Sequence, residues 1–303
     1  MTVHQFGGDW TDEKLDCLRK YLTAYRQIFS TNERARYFTT HYVDAFAGTG
    51  YRQPSGAPAI SSLSLFEEEH DADGDSYRKG SARIALEINP PFHRYLFLDT
   101  NPLYIQALKQ TRSDFSQIAE RIQIECAEAN TYLHEWCQKT NWHQNRAVVF
   151  LDPYGMQVEW SLLEALAKTE AVDLWILFPI GIGINRLLTK KAEPPAEWAN
   201  ALTRIFGTEE WRAEFYKTQT VQTLFAQEDI SCKNADFETI GAFFIKRLQT
   251  IFPAVSPHPL QLCNSRNNPL YLLCFAAANK RGAPIALKIA DSIIGKKGIN
   301  KHG

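Results

Sequence analysis

Between residues 41 and 180 the chain alternates short apolar runs with stretches whose apolar residues recur every three or four positions. That alternation predicts a parallel sheet with helices on both faces. His41–Ala47 reads as the first strand and Ser81–Glu87 as the first crossover helix. Tyr95–Asp99 is the second strand, Leu103–Gln110 a helix, and Ile122–Ala127 the third strand. Tyr132–Lys139, Trp160–Lys168, Ala147–Asp152 and Val172–Phe178 complete the series as two helices and the fourth and fifth strands. Five strand–helix units in register suggest a Rossmann-like α/β sheet, whose ligands gather at the C-terminal ends of the strands.

The flanks read differently. Leu15, Leu18, Leu22, Tyr25 and Ile28 form a helical stripe over Asp12–Phe29, with Thr11 as the expected N-cap. This helix is expected to pack on the sheet or over the ligand site. Helical patterns at Pro195–Phe206, Glu209–Tyr216 and Phe237–Ile251 interrupt the alternation. Leu260–Cys263 and Leu270–Ala276, joined by NSRNNP, then read as an antiparallel hairpin, followed by a closing helix over Ala283–Ile294. The expected organisation is one domain: a helical N-terminal extension (1–40), a core (41–180 and 260–295) and a helical insertion (181–259).

Composition adds mainly exclusions. A chain of 303 residues, 45% hydrophobic, can bury a large core, and a net charge of −1 gives no global field for a polyanion. Nucleic acid is allowed but not required by charge, and would need a local patch. The two polarised stretches, acidic Glu67–Asp75 and basic Asn279–Gly303, read first as solvated surface. The six cysteines contain no C-x-x-C pair and read as reduced, mostly buried thiols; no metal-ligand set is expected. No charged-then-apolar leader follows Met1, and the longest apolar run, Val172–Ile184, is too short to span a bilayer. A cytoplasmic protein outside the membrane is the expectation.

The candidate chemistry sits at strand ends. YVDAFAGTG, Tyr42–Gly50, places Asp44 ahead of a turn on Gly48 and Gly50, with Phe46 and Thr49 in the same segment. Glycines let backbone pass close to a bulky ligand. Asp44 would repel a dinucleotide's phosphates but suits a cationic ligand with an amine, such as S-adenosylmethionine. Asp99 and Thr100, in LFLDTNP, end the second strand, where a carboxylate can accept ribose hydroxyls or can instead cap the next helix. Glu128, in IECAEAN, can accept an adenine amine, with Ala129 small enough to let the ring lie flat; it reads equally as a loop acid. VVFLDPYG brings Asp152, Pro153 and Tyr154 to the fourth strand end. Asp152 can accept the N–H bonds of an acceptor amine while Tyr154 offers a stacking face, although a Pro-Gly strand end is also a common turn. No Pro-Cys pair at that strand end, G-x-x-x-x-G-K-[ST], H-E-x-x-H or G-x-S-x-G occurs, which sets aside several other chemistries.

DAFAGTG, LFLDTN, GSARIALE (Gly80–Glu87), FLDPYG and LFPIGIGINRLL (Leu177–Leu188) together resemble the three-Cys-motif partner family, and the resemblance spans nearly the whole chain. It implies a class I S-adenosylmethionine-dependent methyltransferase sheet, five parallel strands finished by the C-terminal hairpin, and a neighbour-encoded three-cysteine-motif protein as partner. DAFAGTG and DPYG also resemble the amino-methyltransferases of DNA and RNA bases. Those usually carry D-P-P-Y; the single proline here is similar to certain tRNA guanine methyltransferases. The resemblance further draws attention to Arg186, able to pair with a substrate carboxylate or phosphate, or to cap its own helix. The reading is therefore methyl transfer from S-adenosylmethionine to an amine of a base or related planar substrate. The alternatives are a binding module for the neighbour-encoded partner with weak or no transfer, a methyltransferase of small molecules or peptides, and, more remotely, a nicotinamide-dependent oxidoreductase.

Overall fold

The computed structural model describes residues 9–49, 80–190, 193–222 and 227–299. Its elements run α1 (Asp9–Thr31), β1 (Thr39–Asp44), α2 (Ser81–Leu86), β2 (Arg94–Asp99), α3 (Pro102–Asp114), β3 (Ile122–Cys126), α4 (Ala129–Lys139), β4 (Asn145–Leu151), α5 (Trp160–Lys168) and β5 (Val172–Phe178). A π-helical turn (Ile180–Ile184), α6 (Asn185–Leu187), α7 (Ala196–Phe206), α8 (Trp211–Phe215), β6 (Tyr216–Gln222), β7 (Gln227–Lys233) and α9 (Phe237–Gln249) follow. The chain closes with β8 (Ala254–Val255), β9 (Leu260–Cys263), β10 (Pro269–Ala277) and α10 (Ala283–Ile299).

β1 to β5 lie parallel in the order β3-β2-β1-β4-β5. β10 adds antiparallel to β5 and pairs in turn with β9 and β8, so the expected terminal hairpin completes a doubly wound, Rossmann-like sheet. The central strands are apolar over most of their length because both faces are covered. Alternate residues go to opposite sides. Val43, Leu96, Val149, Leu174 and Ile176 meet α4, α5 and the helices of 196–249, whereas Tyr42, Tyr95, Phe97, Val148, Phe150 and Trp175 meet α1, α2 and α10. No described helix is long and apolar enough to cross a membrane.

α1 lies along the second face and is pinned by polar anchors on its buried side. Lys14 Nζ donates to Asp152 Oδ2 at 2.5 Å, beyond the end of β4. Tyr21 donates to Asp173 Oδ2 at 2.7 Å near the start of β5, and Arg26 donates to Thr40 Oγ1 at 2.8 Å at the start of β1. From residue 14 to 26 a helix rises about 18 Å, close to the length of a strand of this sheet. One helix thus ties the C-terminal edge of the sheet to its N-terminal edge. The sequence expectation needs one correction here: Thr11 is not an N-cap but a buried residue inside a helix that already includes Asp9.

The reading of 181–259 as helical is also corrected. α7, α8 and α9 are present, but β6 and β7 form a two-stranded antiparallel sheet of their own. Its segments, YKTQTVQ and QEDISCK, lack a continuous apolar face that would have announced strands. Gly181 lets this region leave β5, because a Cβ there would fall 1.9 Å from the carbonyl oxygen of Pro269. The region is fastened to the sheet by Phe178, whose ring stacks on Phe244 at 3.9 Å between centroids and also meets Phe206. All six cysteines are free, but only Cys17, Cys137 and Cys274 are buried, fewer than expected.

The Phe178 stack carries a stability test. Phe178→Ala removes a fully buried ring from both the sheet and the inserted helices, and is expected to lower unfolding free energy by about 3–5 kcal/mol. Urea unfolding measures it; a loss below about 1 kcal/mol would mean that this stack does not fasten the insertion.

Candidate functional site

The C-terminal edge of the parallel strands brings together most of the residues singled out in the sequence. Past Asp44, the backbone still follows its neighbours: Ala45 N–H donates to the Phe150 carbonyl and Ala47 N–H to that of Leu98. Gly48 then adopts φ +58°, a left-handed conformation that glycine takes without strain. Its N–H donates to Asp99 Oδ2 at 3.0 Å. Asp99 Oδ1 accepts from Asn101 N–H at 2.8 Å, and the Asn101 side chain, not Asp99, caps α3 by accepting from Leu103 N–H. The Asp99 carboxylate is therefore placed at the glycine turn, with Thr100 exposed beside it.

Asp44 is completely buried. Tyr42 Oη donates to it at 3.2 Å, Phe46 N–H at 3.4 Å, and Ser81 adds a hydroxyl donor. Burial raises its pKa to about 7; the nearby Asp152 charge pushes the same way, and the Ser81, Phe46 and Tyr42 hydrogen bonds oppose it. Asp44 thus braces the turn from inside, against α2. Phe46 packs on the core, Thr49 is half-buried, and Gly50 lies outside the described residues.

Glu128 serves α4. Its Oε1 accepts from the backbone N–H and side-chain amide of Asn130, and its Oε2 from the backbone N–H and hydroxyl of Thr131. Burial would raise its pKa, but the hydrogen bonds from Thr131 and Asn130 outweigh this and hold it below the usual glutamate range. Ala129 is buried in the first turn of the helix. Asn130 then bridges to the β4–α5 loop, donating to the Gln157 carbonyl and accepting from Glu159 N–H. Gln157 closes that loop by accepting from Tyr154 N–H at 3.0 Å.

Asp152 stands one strand from the glycine turn. Its Oδ2 holds Lys14 Nζ, and its Oδ1 has no hydrogen-bond partner among the described residues. The Lys14 side chain is only 7% exposed. Its ammonium lies 5.1 Å from the centre of the Trp10 ring, which stacks on Tyr271 at 5.3 Å. Pro153 is buried, whereas the Tyr154 ring is 58% exposed and reaches back across the turn. Its Oη lies 3.9 Å from where a Cβ on Gly48 would be. Burial of that hydroxyl and the neighbouring Tyr104, Asp99 and Asp152 raise its pKa. Tyr154 therefore spans the gap between the glycine turn and the β4 tip.

Arg186 sits apart, exposed on α6 and with no hydrogen bond or ion pair to another described residue. Its neighbour Asn185 accepts from Lys233 Nζ of β7 at 2.5 Å, tying the inserted hairpin to the end of the π turn. A hollow of about 440 Å³ between Ala167, Ile251 and Ala278 lies at the opposite sheet edge, where Ala278 bonds to Val172. The C-termini of the parallel strands are not there, so no role is assigned to it.

The sequence reading missed Lys14, Ser81, Tyr104, Asn130 and Gln157. Lys14 did carry a signal: it lies four residues before Leu18, on the apolar stripe of its helix, where a lysine requires a buried partner. Ser81 and Tyr104 act on partners remote in sequence, and Asn130 and Gln157 each combine a near partner with a remote one.

A scan against protein-family models finds no match for the chain, and a comparison with curated proteins finds none. Solved structures of similar shape include a protein of the DUF519 family from Legionella pneumophila, with TM-score 0.46 and 11% identity over 91% of this chain and 89% of the other. A spermidine synthase from Thermotoga maritima gives TM-score 0.38 and 9% identity over 92% of this chain and 62% of that one. Magnesium protoporphyrin IX methyltransferase from Synechocystis, solved with bound S-adenosylmethionine, gives 0.31 and 12% over 74% and 80%.

Asp44 makes stability depend on pH. Its folded pKa of about 7 lies above the usual 3.8, so between those values the folded chain binds more protons than the unfolded one. Stability contributed by this group is present at low pH and falls as pH rises through that window, on the order of 4 kcal/mol at most. Asp173, raised to about 7 by burial, acts in the same direction. Urea unfolding at about pH 5 and about pH 8 is expected to show a smaller difference for Asp44→Asn than for the parent chain. Equal differences would place the Asp44 carboxyl in water.

Proposed function

We propose that the chain is an S-adenosylmethionine-dependent methyltransferase of the three-Cys-motif partner type, acting on an amine nitrogen of a nucleic-acid base or related planar substrate. The observation that carries this reading is the convergence of two carboxylates from the strands that flank β1: Asp99 of β2 at the left-handed glycine turn, and Asp152, beyond β4, holding an amine on the other side.

The residues fit the donor. Gly48 offers a turn with no side chain, and Asp99, bonded only through backbone N–H groups, keeps lone pairs for ribose hydroxyls. Asp44 supplies negative charge beneath the turn when ionised. Glu128 is committed to its helix, so an adenine amine would meet an oxygen that already accepts from Asn130 or Thr131. When bound, the cofactor supplies an electrophilic methyl group on a sulfonium. Asp152 Oδ1 accepts an N–H of the acceptor and turns its lone pair toward that methyl, while the exposed Tyr154 ring gives a planar acceptor a surface to stack on. Orientation supplies most of the rate in such a transfer.

S-adenosylhomocysteine is expected to bind the parent chain by calorimetry. Asp99→Ala should weaken binding by about tenfold to a hundredfold, the worth of one or two hydrogen bonds to a charged group. No heat with the parent chain would sink the cofactor assignment.

A second reading rests on the hairpin β6–β7. It pairs with no other described strand, so its outer edges, where Lys233 N–H already donates to the Lys190 carbonyl, have further backbone groups to offer another chain. On this reading the insertion docks the neighbour-encoded three-cysteine-motif protein. Replacing 216–233 by a short glycine–serine link should abolish co-purification with that protein while leaving S-adenosylhomocysteine binding intact; undiminished co-purification would place the partner elsewhere.

A further inference from the structure

Lys14 is held in the way that the proposed reaction would hold its acceptor. An amine accepted by the carboxylate at the β4 tip is what amino-methyl transfer needs, and Lys14 Nζ already lies 2.5 Å from Asp152 Oδ2. Its surroundings suit a cationic amine and its methylated product: the Trp10 face lies 5.1 Å away, backed by the stacked Tyr271. Faces of aromatic rings attract ammonium and methylammonium groups alike. The pair fixes α1 along the sheet, but stability alone does not account for it, because well-packed apolar residues often stabilise a fold as much as a buried ion pair does. The pair also stands at the sheet edge where a doubly wound fold binds its ligands.

We infer that Lys14 is itself a methyl acceptor, modified in cis by the chain's own site. This inference rests on the methyltransferase reading above. A proton first passes from the Lys14 ammonium to Asp152, leaving a neutral amine. The N–C bond then forms as the methyl carbon's bond to sulfur breaks, with its electron pair going to sulfur. The product is a methylammonium paired again with Asp152 once the carboxyl proton has left to water, and S-adenosylhomocysteine is released. A foreign amine that takes up Asp152 Oδ1 shares the carboxylate with Lys14, so the first turns of α1 also compete with the external acceptor.

The state of the chain as isolated is the first readout. Peptide mapping by mass spectrometry of the full chain from cells is expected to find methyl groups on the Lys14 peptide, and none there in Asp152→Asn. Incubating unmodified chain with saturating S-adenosylmethionine should add them with a first-order rate constant independent of chain concentration, as transfer in cis requires. S-adenosylhomocysteine calorimetry on the same samples separates the failures. Binding together with an unmodified Lys14 after saturation overturns the inference and leaves the methyltransferase reading standing; absence of binding removes the reading itself. An apparent first-order rate constant that rises with chain concentration overturns the cis assignment. If Asp152→Asn binds S-adenosylhomocysteine and still carries methyl on Lys14, the role given to the ion pair is wrong.

Discussion

Crowding of carboxylates at one edge of a parallel sheet is the constraint around which this molecule is arranged. Asp44, Asp99 and Asp152 end or follow adjacent strands, and each must find donors in a place that the covering helices keep largely dry. The three solutions differ in kind. Asp44 takes hydroxyls and a backbone N–H and drifts toward neutrality; Asp99 takes two backbone N–H groups; Asp152 takes a lysine from a helix more than a hundred residues away in sequence. An ionised group with only neutral donors suffers most from burial. The one full counter-charge goes to the carboxylate proposed to handle the acceptor.

That distribution explains why the N-terminal helix belongs to the core and is not an appendage. Its apolar stripe, with Leu18 and Leu22 in the core of that face, attracts it to the sheet without direction and by itself leaves its height along the strands free. Lys14, Tyr21 and Arg26 remove that freedom, because their polar partners stand at fixed heights along the sheet. Hydrophobic area supplies the attraction and buried polar pairs fix the register. A helix fixed in this way carries its own charge to the site edge.

Most of the sheet was legible from sequence because its strands are buried on both faces and so read as unbroken apolar runs with acidic ends. FLFLD-like endings also carry the positions of Asp99 and Asp152, since a parallel strand's chemistry collects at its tip. The hairpin of the insertion was not legible: strands that pair only with each other need no apolar face, and YKTQTVQ carries none. Side-chain roles were less legible than side-chain places. Glu128 lies at the predicted strand end, yet two residues of local sequence, Asn130 and Thr131, turn its oxygens to capping α4. Asn101 in turn relieves Asp99 of the capping role that its own position would have suited. Such choices depend on which of several neighbouring groups wins a short-range competition, and periodicity does not report them.

Lys14 marks the limit of pattern reading from the other side. A stripe analysis keeps the leucines and discards the lysine among them, although a charge on an apolar face is the more informative residue. Its presence demands a partner, and the partner must be a carboxylate reachable from the end of the helix. In this sheet the strand tips supply the carboxylates at that height, since Asp173, the acid within β5, lies near the strand's opposite end and is held by Tyr21. Burying the pair has a real desolvation cost, and Asp152 Oδ1 is left with an open acceptor position among the described residues that would lower that cost if filled. The pair is therefore better suited to exchange than to permanence: another amine brought to the same oxygens would find the counter-charge, the aromatic wall of Trp10 and Tyr271, and the strand tip already in place.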